Sequence, residues 1–327
     1  MSLNNTAISV APMHRYTHAY QMTLMRLIST RWHLYSEMWP VEAVLQGYKH
    51  DELIALSLLA QPWTIQLAGN EPEKLKQACL KLKSYGVKSV NLNVGCPSHK
   101  VQKGQFGAVL MKSPDHVAQC LDSMNSSNLK VSIKHRVGVD QFYSLSYLSY
   151  FIENIRKKSD CTHFIIHARR ALLSNFNPKQ NRKIPLLDYQ MVKQIKWMYP
   201  DLRIEINGGI DSKKTSDELG KVFDGCMIGR MAIEKTSEFI RSMNDHPINS
   251  KHEYLVFLIT ILSRYFKLLE KPVDFPLSNK HLLPLVNILK GVSGSNQWKK
   301  MLQHQMMTKH VDQKQLLNFL ESRLVNT

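Results

Sequence analysis

The stretch Ser89–Ser98 reads SVNLNVGCPS, and it shows the pattern that decides the fold. Its first part, Ser89–Gly95, is a run of strand length, and the residues GCPS then leave the strand sharply. The preceding segment, Glu71–Tyr85, carries apolar residues at helical spacing and stops before Gly86. The stretch therefore predicts a strand that follows an amphipathic helix and ends in a loop.

Strands of this kind recur along the first 244 residues, with amphipathic segments between them. A second clear helix opens at Ser113-Pro114. Largely apolar strands that alternate with helices fit a closed parallel barrel better than an open doubly wound sheet. We therefore predict an α/β fold, a (β/α)8 TIM barrel, over residues 1–244. The eight predicted strands are Ala7–Met13, His33–Met38, Thr64–Gly69, Ser89–Gly95, Lys130–Arg136, His163–Ala168, Arg203–Gly209 and Gly225–Arg230.

The pattern changes at the polar, proline-containing stretch 244–250, which is typical of a linker. Beyond it no strand is predicted, so we expect a small all-α C-terminal domain over residues 251–327. Its predicted helices are Leu255–Leu269, Leu282–Leu289, Trp298–Met306 and Gln313–Leu324.

The chain is strongly basic. Its 327 residues hold 43 Lys and Arg against 26 Asp and Glu, a formal net charge of +17. An excess of this size predicts a polyanionic partner, and nucleic acid fits better than a membrane because no basic amphipathic stretch stands out. The apolar fraction of 43% is ordinary for a globular protein and excludes a disordered or collagen-like chain.

The cysteines argue against a disulfide framework or a structural zinc site. There are five, an odd number, and no two form a CxxC pair. No apolar run approaches the length that a bilayer requires, and the N-terminus lacks the features of a signal peptide. We therefore expect a cytoplasmic protein without a metal.

Reactive groups gather where the predicted strands end, which is the functional face of such a barrel. Glycines after strands seven and eight fit a phosphate site, although they could also be plain turn residues. Cys96 is either a small buried residue or a thiol exposed near Lys134 and Arg136. His167 is either a core histidine or a ligand contact. The other cysteines are expected to be structural.

Several motifs, in the same order along nearly the whole chain, resemble those of the tRNA-dihydrouridine synthases. The stretch 164–189 is similar to the A subfamily, which reduces uridines 20 and 20a of the tRNA D-loop. The motifs are Ala11-Pro12-Met13, Ile65–Gly69 (IQLAG), Asn91–Ser98, Lys100–Met111, Lys134-His135-Arg136, His167-Ala168-Arg169, Asn207-Gly208-Gly209 and Gly229-Arg230.

The resemblance implies FMN as cofactor and NADPH as reductant. Cys96 would be the catalytic proton donor to uracil C5, while the flavin delivers hydride to C6. Lys134 would also stabilise the anionic reduced flavin. By position in the motifs, the cofactor-binding residues would be Pro12, Met13, Gln66, Lys134, His167, Asn207, Gly208, Gly209, Gly229 and Arg230.

The resemblance also implies tRNA as the partner. Its expected contacts are Asn93, Lys179 and Arg182 near the barrel mouth and Asn296 and Lys299 in the C-terminal domain. The base must be splayed out of the D-loop to reach the flavin. The loop 169–183 carries five basic residues and no acid, in keeping with phosphate contacts. We expect the protein to act as a monomer.

The chain departs from the family pattern in two places. His14 and Arg15 follow Met13, where relatives carry an acidic residue and an arginine. In the tail, Asn296 and Lys299 stand where the subfamily has arginines, and lysine lacks the fork of a guanidinium. These departures leave open a tRNA-binding chaperone without reductase activity. The barrel fold also leaves open a flavin reductase of small pyrimidines.

Overall fold

Eight parallel strands form a closed barrel in the order of the sequence. The structure is a computed structural model and describes residues 6–48, 62–174, 176–244, 248–269 and 279–325. The prediction of a TIM barrel is confirmed. The strands are β1 (Ala7–Val10), β2 (His33–Pro40), β3 (Trp63–Ala68), β4 (Ser89–Val94), β5 (Lys130–Arg136), β6 (His163–His167), β7 (Arg203–Asn207) and β8 (Gly225–Ile228).

Most of the strands end earlier than predicted, because the residues that follow already belong to the functional loops. After β1, Ala11 still donates to the carbonyl of Ile228, but the carbonyl of Met13 accepts from Thr17 and turns the chain. After β7, Gly208 and Gly209 have φ angles of +104° and +71°, which a strand cannot contain. Strand β2 instead extends beyond its predicted end, to Pro40.

Helices surround the barrel and continue into the tail. The prediction over Glu71–Tyr85 corresponds to α3, and the helix expected at Ser113-Pro114 is α5. The helices are α1 (Ala19–Ile28), α2 (Val41–Leu45), α3 (Pro72–Ser84), α4 (His99–Lys103), α5 (Pro114–Asn125), α6 (Leu145–Lys158), α7 (Tyr189–Met198), α8 (Lys213–Gly220), α9 (Arg230–Glu234), α10 (Thr236–Met243), α11 (Lys251–Leu269), α12 (Asn279–Leu282), α13 (Ser295–Thr308) and α14 (Gln313–Leu324).

Three of the four predicted tail helices are present as α11, α13 and α14. The prediction of a helix over Leu282–Leu289 is wrong. Helix α12 ends at Leu282, the 3-10 turn Leu283–Leu285 follows, and turns continue to Gly291. Pro284 explains the break, because it has no backbone N–H and its ring restricts the preceding residue.

The tail packs against the barrel. The rings of Tyr20, in α1, and His281 have centroids 3.8 Å apart. The side-chain nitrogens of Asn287 and Lys290 donate to the carbonyls of Ile233 (2.9 Å) and Glu234 (2.7 Å). Part of the predicted linker, residues 245–247, lies outside the described residues, and the boundary between residues 244 and 251 stays a prediction. Within the described ranges, no helix is both long and apolar enough to span a bilayer.

Candidate active site at the carboxyl end of the barrel

The structure brings most of the predicted site residues to one face. Pro12 and Met13 follow β1, Gln66 lies in β3, and Asn93 is near the end of β4. Cys96 is the second residue of the loop after β4. The same face holds the other barrel residues of the predicted site: Lys134, His167, Asn207, Gly208, Gly209, Gly229 and Arg230.

Cys96 differs from the other four cysteines in its exposure. It is half-buried, whereas Cys79, Cys120, Cys161 and Cys226 are buried. Burial raises the pKa of Cys79, Cys120 and Cys161 to about 12 and that of Cys226 to about 11. Cys96 is therefore the cysteine whose thiol a ligand can reach.

A chain of buried amides fixes the backbone at Cys96. Gln66 Nε2 donates to Asn91 Oδ1, and Asn93 Nδ2 donates to Gln66 Oε1, each over 2.8 Å. Asn91 Nδ2 continues the chain to Ser132 Oγ at 2.9 Å. Asn93 Oδ1 accepts from the N–H of Gly95 (3.2 Å) and of Cys96 (3.0 Å). Strands β3, β4 and β5 thus jointly position the start of the thiol loop.

The motif Lys134-His135-Arg136 splits between the two faces of β5, as successive residues of a strand must. His135 is fully buried against Phe151 and Phe164 in the helix layer, and burial lowers its pKa to about 4. Burial and the charge of Arg136 lower the pKa of Lys134 to about 7, and the nearby Cys96 opposes this lowering. The backbone of Lys134 pairs with that of Asn93, three residues before Cys96.

Positive charge dominates this face. The pKa of His167 is held well below its usual range by burial and by the charges of Arg136, Lys134, Arg169 and Arg230. Burial also lowers the pKa of Arg136, to about 10. Such a cluster favours anionic ligands and keeps the His167 imidazole neutral.

The turn after β7 fits a phosphate group. Gly208 and Gly209 take up positive φ, and no N–H of these two residues donates to another described residue. A Cβ atom on Gly209 would lie 2.4 Å from Leu187 Cδ1 and 2.8 Å from the Tyr189 hydroxyl. A Cβ on Gly208 would lie 3.1 Å from His167 Nε2. The phosphate of FMN would require N–H donors and a cation. The N–H groups of Gly208 and Gly209 and the exposed Arg230 supply them, so these residues fit the cofactor.

The predicted tRNA contacts fall into two separate regions. Lys179 precedes the 3-10 turn Gln180–Arg182 in the loop after β6, and Arg182 is the last residue of this turn and is exposed. Asn296 and Lys299 line a surface cavity of about 660 Å³ in the tail. The structure thus places the first pair beside the barrel mouth, and the second pair on α13.

Charged side chains from other elements lie beside both sequence departures. The carboxylate of Glu37, in β2, accepts a 2.7 Å hydrogen bond from the N–H of Arg15 and lies 3.4 Å from His14 Nδ1. An acid therefore does stand beside this loop, on another strand. In the tail, Lys290 and Arg323 line the same cavity as Asn296 and supply positive charge there.

Two residues outside the predicted catalytic, cofactor and tRNA sets hold the thiol loop, although Arg136 was already expected near Cys96. Arg136 Nε donates to the carbonyl of Gly95 at 2.9 Å, and Gln102 Nε2 donates to that of Pro97 at 2.9 Å. The sequence signal for Arg136 is an arginine at the end of a buried strand. The described residues hold no group of three or more His, Cys, Asp or Glu placed to bind a metal.

A closed eight-stranded barrel with its reactive groups at the carboxyl ends of the strands is the architecture of a (β/α)8-barrel enzyme. The family model described as dihydrouridine synthase (Dus) matches residues 9–324. The chain therefore belongs to the dihydrouridine synthase family, and it is an oxidoreductase.

Curated relatives agree with this assignment. The tRNA-dihydrouridine(20/20a) synthase of Yersinia pestis is 34% identical over 296 residues, which cover 90% of this chain and 85% of the relative. The protein of the same name from Escherichia coli (strain K12) is 34% identical with the same coverage. The resemblance to the A subfamily is confirmed.

A solved structure shares the fold alone. The complex of 2-naphthoyl-CoA reductase with 2-naphthoyl-CoA has a TM-score of 0.51 and 11% sequence identity. The match covers 77% of this chain and 53% of that chain.

Proposed function

We propose that this enzyme reduces the C5–C6 double bond of uridines 20 and 20a in tRNA to dihydrouridine, with FMN as cofactor and NADPH as reductant. The observation that carries the proposal is the accessible cysteine, Cys96, in the loop after β4, beside the strand that carries Lys134 and at a barrel mouth rich in cationic side chains. The names of the relatives from Yersinia pestis and Escherichia coli support tRNA as the substrate.

Bound FMN, once reduced by NADPH, would supply the hydride that uracil C6 receives. Cys96 would donate its thiol proton to C5, where negative charge develops, and the resulting thiolate would be reprotonated from solvent. The Lys134 ammonium would offset negative charge on the reduced flavin ring, since a desolvated cation acts strongly in such a site. Proton and hydride together account for the two hydrogens of the product.

The remaining roles concern binding of the cofactor. Gly208, Gly209, Gly229 and Arg230 would hold its phosphate. Pro12, Met13, Gln66, His167 and Asn207 would contact its flavin part. Both ends of the Gln66 amide are already hydrogen-bonded to Asn91 and Asn93, so Gln66 would meet the ring from a fixed position.

The tRNA would be held mainly by phosphate contacts. Lys179 and Arg182 would bind beside the mouth, and residues 251–327 would form the tRNA-binding domain through Asn296 and Lys299. Asn93 keeps one Nδ2 hydrogen for a uracil oxygen, since only its other donor and its acceptor are engaged inside the protein. We place the reaction in the cytoplasm, because tRNA is there.

The test uses purified protein, unmodified tRNA and NADPH. We expect a yellow protein that forms dihydrouridine at positions 20 and 20a, and that oxidises NADPH much faster with tRNA than with free uridine. Cys96→Ala should lose most turnover, by about 100-fold or more, and keep its flavin. The matched variant Cys161→Ala, at a buried cysteine, should keep its activity.

Two results would point to the other functions. Tight tRNA binding without flavin reduction would indicate the chaperone, and equal turnover of free pyrimidines would indicate the small-molecule reductase. Full activity of Cys96→Ala would show that the thiol is not the proton donor.

A further inference from the structure

Both neighbours of Cys96 are held by side chains from other elements. The Gly95 carbonyl accepts from Arg136 Nε, and the Pro97 carbonyl accepts from Gln102 Nε2, each at 2.9 Å. The carbonyl of Cys96 itself accepts from the N–H of Ala108, also at 2.9 Å. The position of the thiol therefore depends on where Arg136 and Gln102 are held.

The same two side chains also bind the loop that follows β6. Arg136 Nη1 donates to the carbonyls of Arg170 (3.2 Å) and Asn181 (3.3 Å). Gln102 Nε2 lies 3.3 Å from the carbonyl of Leu173, to which it also donates. Two bridges thus run from either side of Cys96 to one loop, 169–183.

That loop is internally fixed around a buried asparagine. Asn181 is fully buried, and its side chain accepts from the N–H of Leu172 and donates to the carbonyl of Leu172, each over 2.8 Å. Lys179 and Arg182, the proposed phosphate contacts, lie close to Asn181 in sequence. A shift of the backbone at Arg182 would move the adjacent Asn181 carbonyl, which Arg136 binds. Through the Asn181–Leu172 hydrogen bonds it would also move the Leu173 carbonyl, which Gln102 binds.

Arg136 is well suited to such a bridge. It is 5% exposed, and its guanidinium donates to backbone carbonyls of two separate loops. Burial of a guanidinium that is not paired with a carboxylate is unfavourable, so packing alone does not explain why an arginine occupies this position. A lysine could not replace Arg136, because a single ammonium group cannot donate along two separate edges as a planar guanidinium does.

We propose that Arg136 and Gln102 are positioning residues that couple the basic loop 169–183 to the Cys96 thiol. When tRNA binds Lys179 and Arg182, this coupling fixes the position of the thiol that delivers the proton. The inference rests on the proposed function, because it names the tRNA loop that controls the same site. Neither residue needs to touch the substrate for this effect.

The first experiment requires neither flavin nor tRNA. Cys96 is alkylated with iodoacetamide in the native protein and followed by peptide mass spectrometry, with the four buried cysteines as internal references. We expect Gln102→Ala and Arg136→Lys each to change the rate by about fivefold or more, the factor for the loss of one hydrogen bond of about 1 kcal/mol.

Two matched controls separate this effect from a general loss of stability. Arg26 is also buried and donates to the carbonyls of Ser29, Thr30, Trp32 and Pro62, at the other end of the barrel. Arg26→Lys should destabilise the protein without changing Cys96 alkylation. Gln77→Ala, at an exposed helix position, controls for Gln102→Ala. Unchanged alkylation in Gln102→Ala and Arg136→Lys would overturn the proposal.

The second experiment measures the coupling itself. Arg182→Ala should lower both tRNA affinity and the rate at which bound tRNA oxidises the reduced enzyme. In a background that carries both Gln102→Ala and Arg136→Lys, the same change should lower affinity but leave that rate unaltered, since both bridges are already broken. An equal rate loss in both backgrounds would contradict the coupling. A wild-type enzyme that leaves tRNA unreduced would instead refute the proposed function, and the alkylation result would still stand.

Discussion

Asn93 Oδ1 accepts a 3.0 Å hydrogen bond from the backbone N–H of Cys96, so the end of β4 sets where the thiol loop begins. The asparagine is itself held by Gln66 in the neighbouring strand. The placement of the reactive group is therefore built into the barrel wall.

Replacing Asn93 by Ala should slow the reduction of bound tRNA by about 10- to 100-fold. The physical reason is that two backbone N–H groups and Gln66 lose their hydrogen-bond partner, and each buried polar group left unpaired costs about 1–3 kcal/mol. Stopped-flow oxidation of the reduced flavin by saturating tRNA measures the rate. Asn125→Ala, in α5, is the control and should react normally.

Replacing Lys134 by Met should stabilise the flavin-free protein near neutral pH. The pKa of Lys134 is lowered to about 7 in the folded protein, so the unfolded chain binds its proton more tightly. Stability of the wild type therefore rises with pH from about 7 to about 10.5, and the advantage of the variant shrinks over that window. We expect a gain in Tm of about 2 °C or more at about pH 7.

Thermal melts at several pH values test this dependence. Lys130→Met, at the exposed start of the same strand, is the control and should show little change. A gain for Lys134→Met that does not vary with pH would mean that packing, and not charge, is responsible.

Replacing Gly209 by Ala should weaken FMN binding by about tenfold, equal to about 1.4 kcal/mol. The new methyl group meets Leu187 and Tyr189, and the backbone is already at positive φ. Fluorescence titration of the apoprotein with FMN measures the affinity. Gly47→Ala has a similar φ of +82° and nothing within 4 Å of its Cβ, so it controls for backbone strain. Equal FMN affinity in Gly209→Ala and Gly47→Ala would show that the turn after β7 does not bind the phosphate.

The opposite end of the barrel should determine acid stability. Glu205 is fully buried and accepts from Ser9 Oγ (2.6 Å), His163 Nε2 (3.0 Å) and Arg203 Nη2 (2.7 Å). Burial alone would raise the pKa of Glu205, but these partners lower it to about 2. Its contribution is complete above about pH 4.5 and is lost as the pH falls towards 2.

Glu205→Gln should therefore lower the free energy of unfolding at neutral pH by about 3 kcal/mol, because it removes the carboxylate charge whose pKa these partners lower to about 2. Urea titrations at neutral and acidic pH give the difference, which should shrink on acidification. Asp115→Asn, at an exposed ion pair, should change stability little. A difference that stays constant with pH would contradict the assigned charge state.

Lys179→Ala, Arg182→Ala and Lys299→Ala should each reduce the salt dependence of tRNA binding. Removal of one phosphate contact lowers the slope of log K against log salt by about 0.7 to 0.9. Filter binding at several salt concentrations gives the slopes. Lys221→Ala, at an exposed lysine after α8, should leave the slope unchanged, and an unchanged slope in any of the three would exclude that residue as a phosphate contact.

The sequence predicted the barrel well because buried parallel strands are short apolar runs. It overestimated most strand ends, since Pro12, Met13 and Gly208 lie just beyond strand residues but no longer belong to the sheet. The helix over Leu282–Leu289 failed at Pro284. The strand-end residues of the candidate site were found for the same topological reason, that parallel strands share one functional edge.

The contacts that hold the site could not be predicted in this way. Arg136 binds the carbonyl of Gly95, 41 residues away in sequence, and that of Asn181, 45 residues away. Glu37 in β2 accepts from the N–H of Arg15, which lies 22 residues away in sequence. Such pairs depend on the distance between side chains in the folded barrel. The periodicity of apolar residues in the sequence gives no information about that distance.

The unequal burial of the cysteines has a consequence for oxidative stress. Peroxides and electrophiles react with thiols that they can reach, and four of the five are enclosed by the core. Damage should therefore fall first on Cys96, and the enzyme should lose its chemistry while its fold is still intact.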